Sequence, residues 1–474
     1  MLLSPIVDNL ERMLTSSYSR RGFSAPIEGS SYVAPAGESE HWVAPRVASP
    51  IQATLQIPGS KSLTNRELVL AALASGPSRI RRPLHSRDSR LMVEALQRLG
   101  TSIEEVAGGG AFGPDWIVTP GELSGGVTID CGLAGTVMRF MPPVASLASG
   151  SVFFDGDEGA RRRPMSTTIT SLRALGVDVQ DDGRGALPFT VVGTGSVTGG
   201  ALTIDASSSS QFVSGLLLAA ARFDDGLDLT HSGERLPSLP HIEMTIEVLR
   251  QRGVNVSSPS VGRWVVEPGE IAAIDIDIEP DLSNAAPFLA AAVATGGSVT
   301  VSGWPASTTQ VGNDLLTLLS QFGATVTRNG SDVKVSGVVD VDGKPMIHGV
   351  TLDLTTGGEL APALAALAAL ASTPSTITGI GHIRHHETDR LAALAAEINK
   401  LGGRVTELED GLQIEPATLH GGVWLSYEDH RMATSGALIG LVVDGVQVEN
   451  IATTSKTLPE FPELWAALTE SARV

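Results

Sequence analysis

The chain of 474 residues is 42% hydrophobic, 18% charged and 4% aromatic, with one cysteine and a formal net charge of −19. That length suits two or three domains with sizeable cores, a single cysteine excludes an intrachain disulfide framework, and the acidic balance argues against nucleic acid or an anionic membrane as partner. Aliphatic runs such as Leu360 to Ala371 fall short of the ~20 apolar residues of a membrane span, and Asp8, Glu11 and Arg12 stand where a signal peptide needs a basic start and an apolar stretch, so a cytoplasmic protein is expected.

In chain order, residues 1–46 scatter Ser, Pro, Gly and Glu without periodicity and read as a flexible N-terminal extension with no part in the chemistry. Beyond them a Leu/Ala-rich helix, a small turn and a β-branched strand recur as LVLAALASGPSRI, PPVASLASGSVFF, GLLLAAARFDDGLDL, FLAAAVATGGSVTV, LAALAALASTPSTI and ALIGLVVDGVQV. With Gly76, Gly150, Gly226, Gly297, Pro374 and Gly445 as turn markers, the spacings are 74, 76, 71, 77 and 71 residues. Chance helix–Gly–strand punctuation would not hold so narrow a band along the whole chain, so one unit repeats six times. Between these segments run amphipathic helices that stop at Gly before a strand, in MVEALQRLGTSI, SLRALGVDV, EVLRQRGVNV, LLSQFGATV and EINKLGGRV. Each unit thus predicts one buried and one amphipathic helix with strands after both. Helices apolar on nearly all sides belong inside a layer of mixed sheets, which makes the fold class mixed α/β.

The polar segments before the six apolar helices read PGSKSLTNRE, DCGLAGTVMRF, SSSSQFVSG, PDLSNAAPF, TGGELAPAL and YEDHRMATSG. Helix N-termini present free N–H groups and about half a positive charge, which suits phosphate and carboxylate. Any one segment alone is better read as ordinary N-capping. The embedded cations change that balance: Lys61 and Arg66 lie in the first segment, Arg139 in the second and Arg431 in the sixth, with Arg163, Arg390 and Lys456 in GARRRPM, HHETDRL and TTSKTLPEF. The chain has only five lysines, at 61, 334, 344, 400 and 456, and two of them fall in these motifs. An anion site on an acidic body is therefore expected. PGSKS lacks the upstream Gly of a nucleotide P-loop, and the His382, His385, His386, Glu387 group lacks the zinc-site H-E-x-x-H pattern, so no metal and no cofactor are expected.

Together GSKSLTNR, AGTVMRF, RRRPM, SSQF, HETDRL, DHRMA and SKTLPEF resemble, in order and separation, the 5-enolpyruvylshikimate-3-phosphate (EPSP) synthase family of enolpyruvyl transferases. The resemblance runs from about residue 47 to the C-terminus. It implies a two-lobe inside-out α/β barrel of six βαβαββ repeats with helices inside mixed sheets. One lobe would hold 47–60 plus 281–474 and the other 61–280, with the active site in the cleft between. The implied activity moves the enolpyruvyl group of phosphoenolpyruvate to the 5-hydroxyl of 3-phosphoshikimate, releasing phosphate, a step of the shikimate pathway toward chorismate and the aromatic amino acids. A monomer acting on two small anions is implied.

By the same resemblance Lys61, Ser62, Arg66, Ser209, Ser210, Gln211, Ser238, His241, Glu359 and His386 bind 3-phosphoshikimate. Lys61, Gly135, Arg163, Gln211, Arg390, Arg431 and Lys456 bind phosphoenolpyruvate. Glu359 matches the family's acid/base carboxylate, Glu387 and Lys61 are candidates to deliver a proton to the methylene carbon, and Lys456 and His386 complete the catalytic set. Clustered cations are expected to disfavour protonation of both Lys61 and Lys456. Leu133, His241, His382, His386 and Glu359 stand where the family commonly has Asn, Tyr, Asn, Lys and Asp. Two readings compete: the sister transferase acting on UDP-N-acetylglucosamine, for which Cys131 is the only candidate loop cysteine, and a non-catalytic anion-binding relative.

Overall fold

The computed structural model describes residues 41–472. The six apolar helices are Lys61–Ala72, Gly135–Ala145, Gln211–Ala220, Ala286–Thr295, Ala361–Ala368 and His430–Gly440. Small and aliphatic residues cover most of their faces and leave little solvent side: all residues of Gly135–Ala145, Ala286–Thr295 and Ala361–Ala368 are buried. They pack on one another, Gly135–Ala145 on Gln211–Ala220 and Ala361–Ala368 on His430–Gly440. The five amphipathic helices are Arg87–Arg98, Ser166–Ala174, Leu239–Gln251, Leu315–Gln321 and Arg390–Lys400. A sixth, Phe461–Thr469, escaped the pattern because no Gly and strand follow it.

Five of the six sheets among the described residues follow one rule, and in the sixth His41–Val43 takes the place of the hairpin beside the parallel pair Gly422–Trp424 and Val446–Glu449. Val127–Asp130 and Ser149–Asp155 run parallel, joined through Gly135–Ala145, and Phe189–Thr194 and Asp178–Gln180 add an antiparallel hairpin. A parallel pair needs such a crossover, and here the buried helix supplies it. The sheets that start from Gly200–Ile204 and Thr351–Asp353 repeat this order. In two sheets the parallel partner comes from far along the chain: Ile276–Asp277 pairs with Ser78–Arg81, and Gln52–Leu55 with Ser298–Val301. The six sheets stay separate, and among the described residues none closes into a barrel. His41–Val43, placed by composition in the extension, forms a strand antiparallel to Val446–Glu449; residues 1–40 lie outside the described residues.

Buried apolar side chains form two clusters, one drawn from residues 68–278 and the other from 44–57 and 282–472. The chain passes between them twice, side by side: Ser60 N donates to Glu279 O at 2.7 Å and Asp281 N to Pro58 O at 2.8 Å. A Cβ on Gly59 would lie 2.4 Å from Arg82 O, so only Gly fits where the two strands cross. Lys61 starts its helix two residues later. No helix among the described residues is long and apolar enough to cross a membrane.

Candidate active site

A cleft of about 1200 Å³ opens beside this double crossing, lined by residues associated with both cores. Lys61, Ser62, Arg66, Arg163, Ser209, Ser210, Gln211, Ser238 and His241 face Glu359, His386, Glu387, Arg390 and Arg431 across it. Gly135 and Lys456 lie one layer behind the surface. Helix ends account for the convergence: Lys61, Gly135, Gln211 and Arg390 are first residues of helices, Arg431 is a second residue, and Glu359 sits in the turn before Ala361–Ala368. Backbone donors without intrahelical partners therefore collect in one place.

On one wall, Asp281 Oδ2 accepts from Lys61 N at 3.0 Å and so ties the helix start to the returning chain. Arg163 donates to Leu133 O at 3.2 Å, while its Nε and the Gln211 Oε1 have no hydrogen-bond partner among the described residues. A Cβ on Gly135 would approach those two side chains to 3.0 and 2.9 Å, so the glycine lets them close over the helix end. Arg66 lines the cleft beside Ser62 and His241. Its guanidinium donates to Thr245 Oγ1 at 2.8 Å, His241 O at 2.9 Å and Ser62 O at 2.9 Å, and thereby braces the wall that presents Ser62 and His241. Ser238 caps its helix in a left-handed conformation, φ 54°, and its N–H donates across the cleft to Thr355 O at 3.3 Å.

The opposite wall carries the carboxylates. Glu359 lies 3.1 Å from His241 Nε2 and accepts from Ser283 Oγ at 3.2 Å. Glu387 joins Lys456 Nζ at 2.6 Å and Arg390 Nη2 at 2.9 Å, and Arg390 also donates to Asp429 at 2.7 Å. The Arg431 guanidinium lines the cleft with no ion pair among the described residues, which leaves its planar fork available to a ligand.

Burial would push the Glu359 carboxyl up, but the His241 and Arg431 charges and the Ser283 hydroxyl hold it well below the usual carboxylate range. Burial likewise opposes the Glu387 charge, yet Lys456, Arg390 and Arg163 bring that carboxyl far down. Lys61 is lowered by burial and then by the Lys456 charge. Lys456 departs from expectation: against burial, Asp88 and Glu387 hold it above the ordinary lysine value. Burial and the Arg390 charge push His386 far down, so it is a neutral imidazole that takes a hydrogen bond from Arg390 at 3.1 Å and not the weak cation its position suggested. Burial also pushes the Cys131 thiol up, and it is absent from the cleft wall, which removes the feature that favoured the UDP-sugar reading.

An EPSP synthase (3-phosphoshikimate 1-carboxyvinyltransferase) family model matches residues 45–465. The chain belongs to that family. It is 58% identical over 440 residues to the 3-phosphoshikimate 1-carboxyvinyltransferase of Kocuria rhizophila, covering 92% of this chain and 98% of the relative. Among solved structures, EPSP synthase from Acinetobacter baumannii superposes with a TM-score of 0.73 at 23% identity, over 92% of this chain and 98% of that one. The enolpyruvyl transferase NikO from Streptomyces tendae gives 0.70 at 17% identity over 91% and 97%. At such identities these two speak for the fold.

Within this family framework the structure adds residues that motif reading passed over. Asp281, Ser283, Asn284 and His430 line the cleft, and Asp88 lies behind it against both lysines. Asp281 and Ser283 carried a usable signal, since both stand in the polar segment before the fourth apolar helix. Asp88 carried none, because Asp in the first turn of an amphipathic helix reads as capping.

Proposed function

We propose that the chain transfers the enolpyruvyl group of phosphoenolpyruvate to the 5-hydroxyl of 3-phosphoshikimate and releases phosphate. One observation carries this reading: four cations, Lys61, Arg163, Arg390 and Arg431, share a cleft with two carboxylates, Glu359 and Glu387, both held ionised. Carboxylates weaken a plain anion receptor, so their presence favours proton-transfer chemistry over simple binding.

In this scheme Ser209, Ser210, Gln211, Ser62 and Ser238 hold 3-phosphoshikimate by hydroxyl, amide and backbone donors. Arg163, Arg390 and Arg431 grip the carboxylate and phosphate of phosphoenolpyruvate by two-point contacts. Proton delivery to the methylene carbon turns it into a methyl group and makes C2 cationic. The 5-hydroxyl oxygen then bonds to C2 as Glu359 takes its proton, with His241 orienting the carboxylate. The tetrahedral intermediate breaks its C2–O(phosphate) bond as phosphate leaves, and the methyl group returns a proton to the amine that supplied it, which restores the double bond. Glu387 is held as a carboxylate by two cations, whereas Lys61 releases a proton more readily than an ordinary lysine. Lys61 is therefore the better of the two proton donors.

The same reading takes the chain as a monomer with two lobes, 47–60 plus 281–474 and 61–280, working on small metabolites in the cytoplasm. The test measures phosphate release from phosphoenolpyruvate with 3-phosphoshikimate and, separately, with UDP-N-acetylglucosamine. Turnover with the first acceptor alone is expected. Turnover only with the second, or binding of both anions with no phosphate release, refutes the reading.

A further inference from the structure

Asp88 is a buried carboxylate to which the scheme above gives no task. It occupies the first turn of Arg87–Arg98 behind the Ser86 cap, its side chain is 1% exposed, and neither of its oxygens makes a hydrogen bond among the described residues. Oδ2 instead lies 3.5 Å from Lys61 Nζ and 3.2 Å from Lys456 Nζ. Lys456 comes from the other core's chain segment and also holds Glu387. Charges thus alternate in sign along Lys61, Asp88, Lys456, Glu387 and Arg390, at successive distances of 3.5, 3.2, 2.6 and 2.9 Å. A buried carboxylate away from water persists only where cations compensate it. Conversely, two ammonium groups cannot converge on one point of a cleft without an anion between them.

We propose that Asp88 is a positioning residue for the transfer: its single carboxylate gathers the Lys61 and Lys456 ammonium groups beside the cleft and, through Lys456, fixes the Glu387 carboxylate. The proposal rests on the enolpyruvyl-transfer reading. The groups facing these lysines are Glu387, Arg163, Arg431 and His430. Of the carboxylates among the described residues, Asp88 alone lies within ion-pair distance of both lysines. Lys456, closer to Asp88 and to Glu387, is kept above its ordinary value and stays a fixed cation, while Lys61, buried and beside that cation, is brought down. Asp88 favours the charged form of both lysines, and burial together with the Lys456 charge leaves Lys61 the readier proton donor.

Asp88→Asn keeps the shape and removes the charge. Kcat is expected to fall roughly 10²-fold, the lower end of an acid/base contribution, with KM for 3-phosphoshikimate changed only a few fold. Loss of the anion makes the ammonium form less favourable, so the alkaline limb of the pH–rate profile is expected to move down by about one unit, a tenfold change in protonated fraction. Asp88→Glu restores the limb, and in a Lys456→Met background Asp88→Asn adds less than about threefold. An unmoved limb overturns the proposal, whether kcat is unchanged or falls as it would for a merely structural change. Should Asp88→Asn fail to fold, nitrogen-15 NMR of labelled lysine in the unaltered protein remains decisive, since only five lysines contribute signals. Lys61 is expected to titrate below Lys456, and coincident titration overturns the assignment. That readout needs no turnover, so failure of the Asp88 proposal and failure of the activity reading are separately visible.

Discussion

Glu359→Gln separates catalysis from binding in this cleft. Glutamine keeps the size of the side chain and an oxygen for the Ser283 hydroxyl, now 3.2 Å from Glu359 Oε1, but it cannot take a proton at neutral pH. Kcat is expected to fall by about 10²–10⁴-fold, ~3–5 kcal/mol of barrier. Binding follows a different balance. A carboxylate about 6 Å from a substrate anion repels it by ~3 kcal/mol at an effective dielectric near 20, and the amide removes that repulsion. Against this stands the lost charge-assisted hydrogen bond to the substrate hydroxyl, ~1.5–3 kcal/mol. The two nearly cancel, so 3-phosphoshikimate affinity should stay within a few fold. Phosphate release gives kcat and calorimetric titration gives affinity. Equal losses in both, or an unchanged kcat, would show that Glu359 holds substrate and does not move its proton.

Gly135→Ala places a methyl group 2.9 Å from Gln211 Oε1 and 3.0 Å from Arg163 Nη2; both are ends of flexible side chains, so the fold should survive while KM for phosphoenolpyruvate rises about tenfold, ~1.4 kcal/mol, and an unchanged KM counts against Arg163 as its ligand. Deep in the first core Arg252 holds Glu67 at 2.7 Å with both side chains sealed from solvent. Arg252→Met strands that carboxylate and should cost about 3–5 kcal/mol in urea unfolding, whereas a paired Glu67→Leu/Arg252→Met change should recover most of it; equal losses would mean that packing and not charge decides. Glu460 is pushed up to about 7 by burial. Its folded value exceeds the unfolded one, so its contribution is fully present below about pH 4.5 and is lost as pH rises toward 7, by up to about 3 kcal/mol. Glu460→Gln should remove that decline, and parallel urea midpoints for both proteins at pH 5 and pH 8 would contradict it.

The repeat was legible because it is carried by composition. Helices such as Ala286–Thr295, apolar on all faces and ended by left-handed Gly296, φ 66°, can only be interior, and the following strand starts at a marked position. What the chain could not announce is which strand completes which sheet. Gln52–Leu55 and Ile276–Asp277 each join a unit begun elsewhere, and four- or two-residue segments carry too little pattern to name a partner more than 190 residues away. The same limit hid His41–Val43, where Pro and Gly nearby suggested an extension although alternate side chains suffice for an edge strand.

Cations and carboxylates of the cleft divide by the same logic. Lys61, Arg390 and Arg431 stand at helix starts and Arg163 in the turn between two helices, on an acidic chain where their type is out of keeping with the surroundings. Asp88 stands in an acidic chain's amphipathic helix, where its type is ordinary. An unusual residue draws notice from sequence; an ordinary one acquires a role only when folding removes it from water. Lys456 shows that the two cannot be read apart: clustering of cations alone predicts a lowered lysine, yet Asp88 and Glu387 reverse the direction. Protonation states in this cleft therefore follow the balance of burial and neighbouring charge at each ammonium, and that balance depends on a contact between residues 88 and 456 that neither neighbourhood encodes by itself.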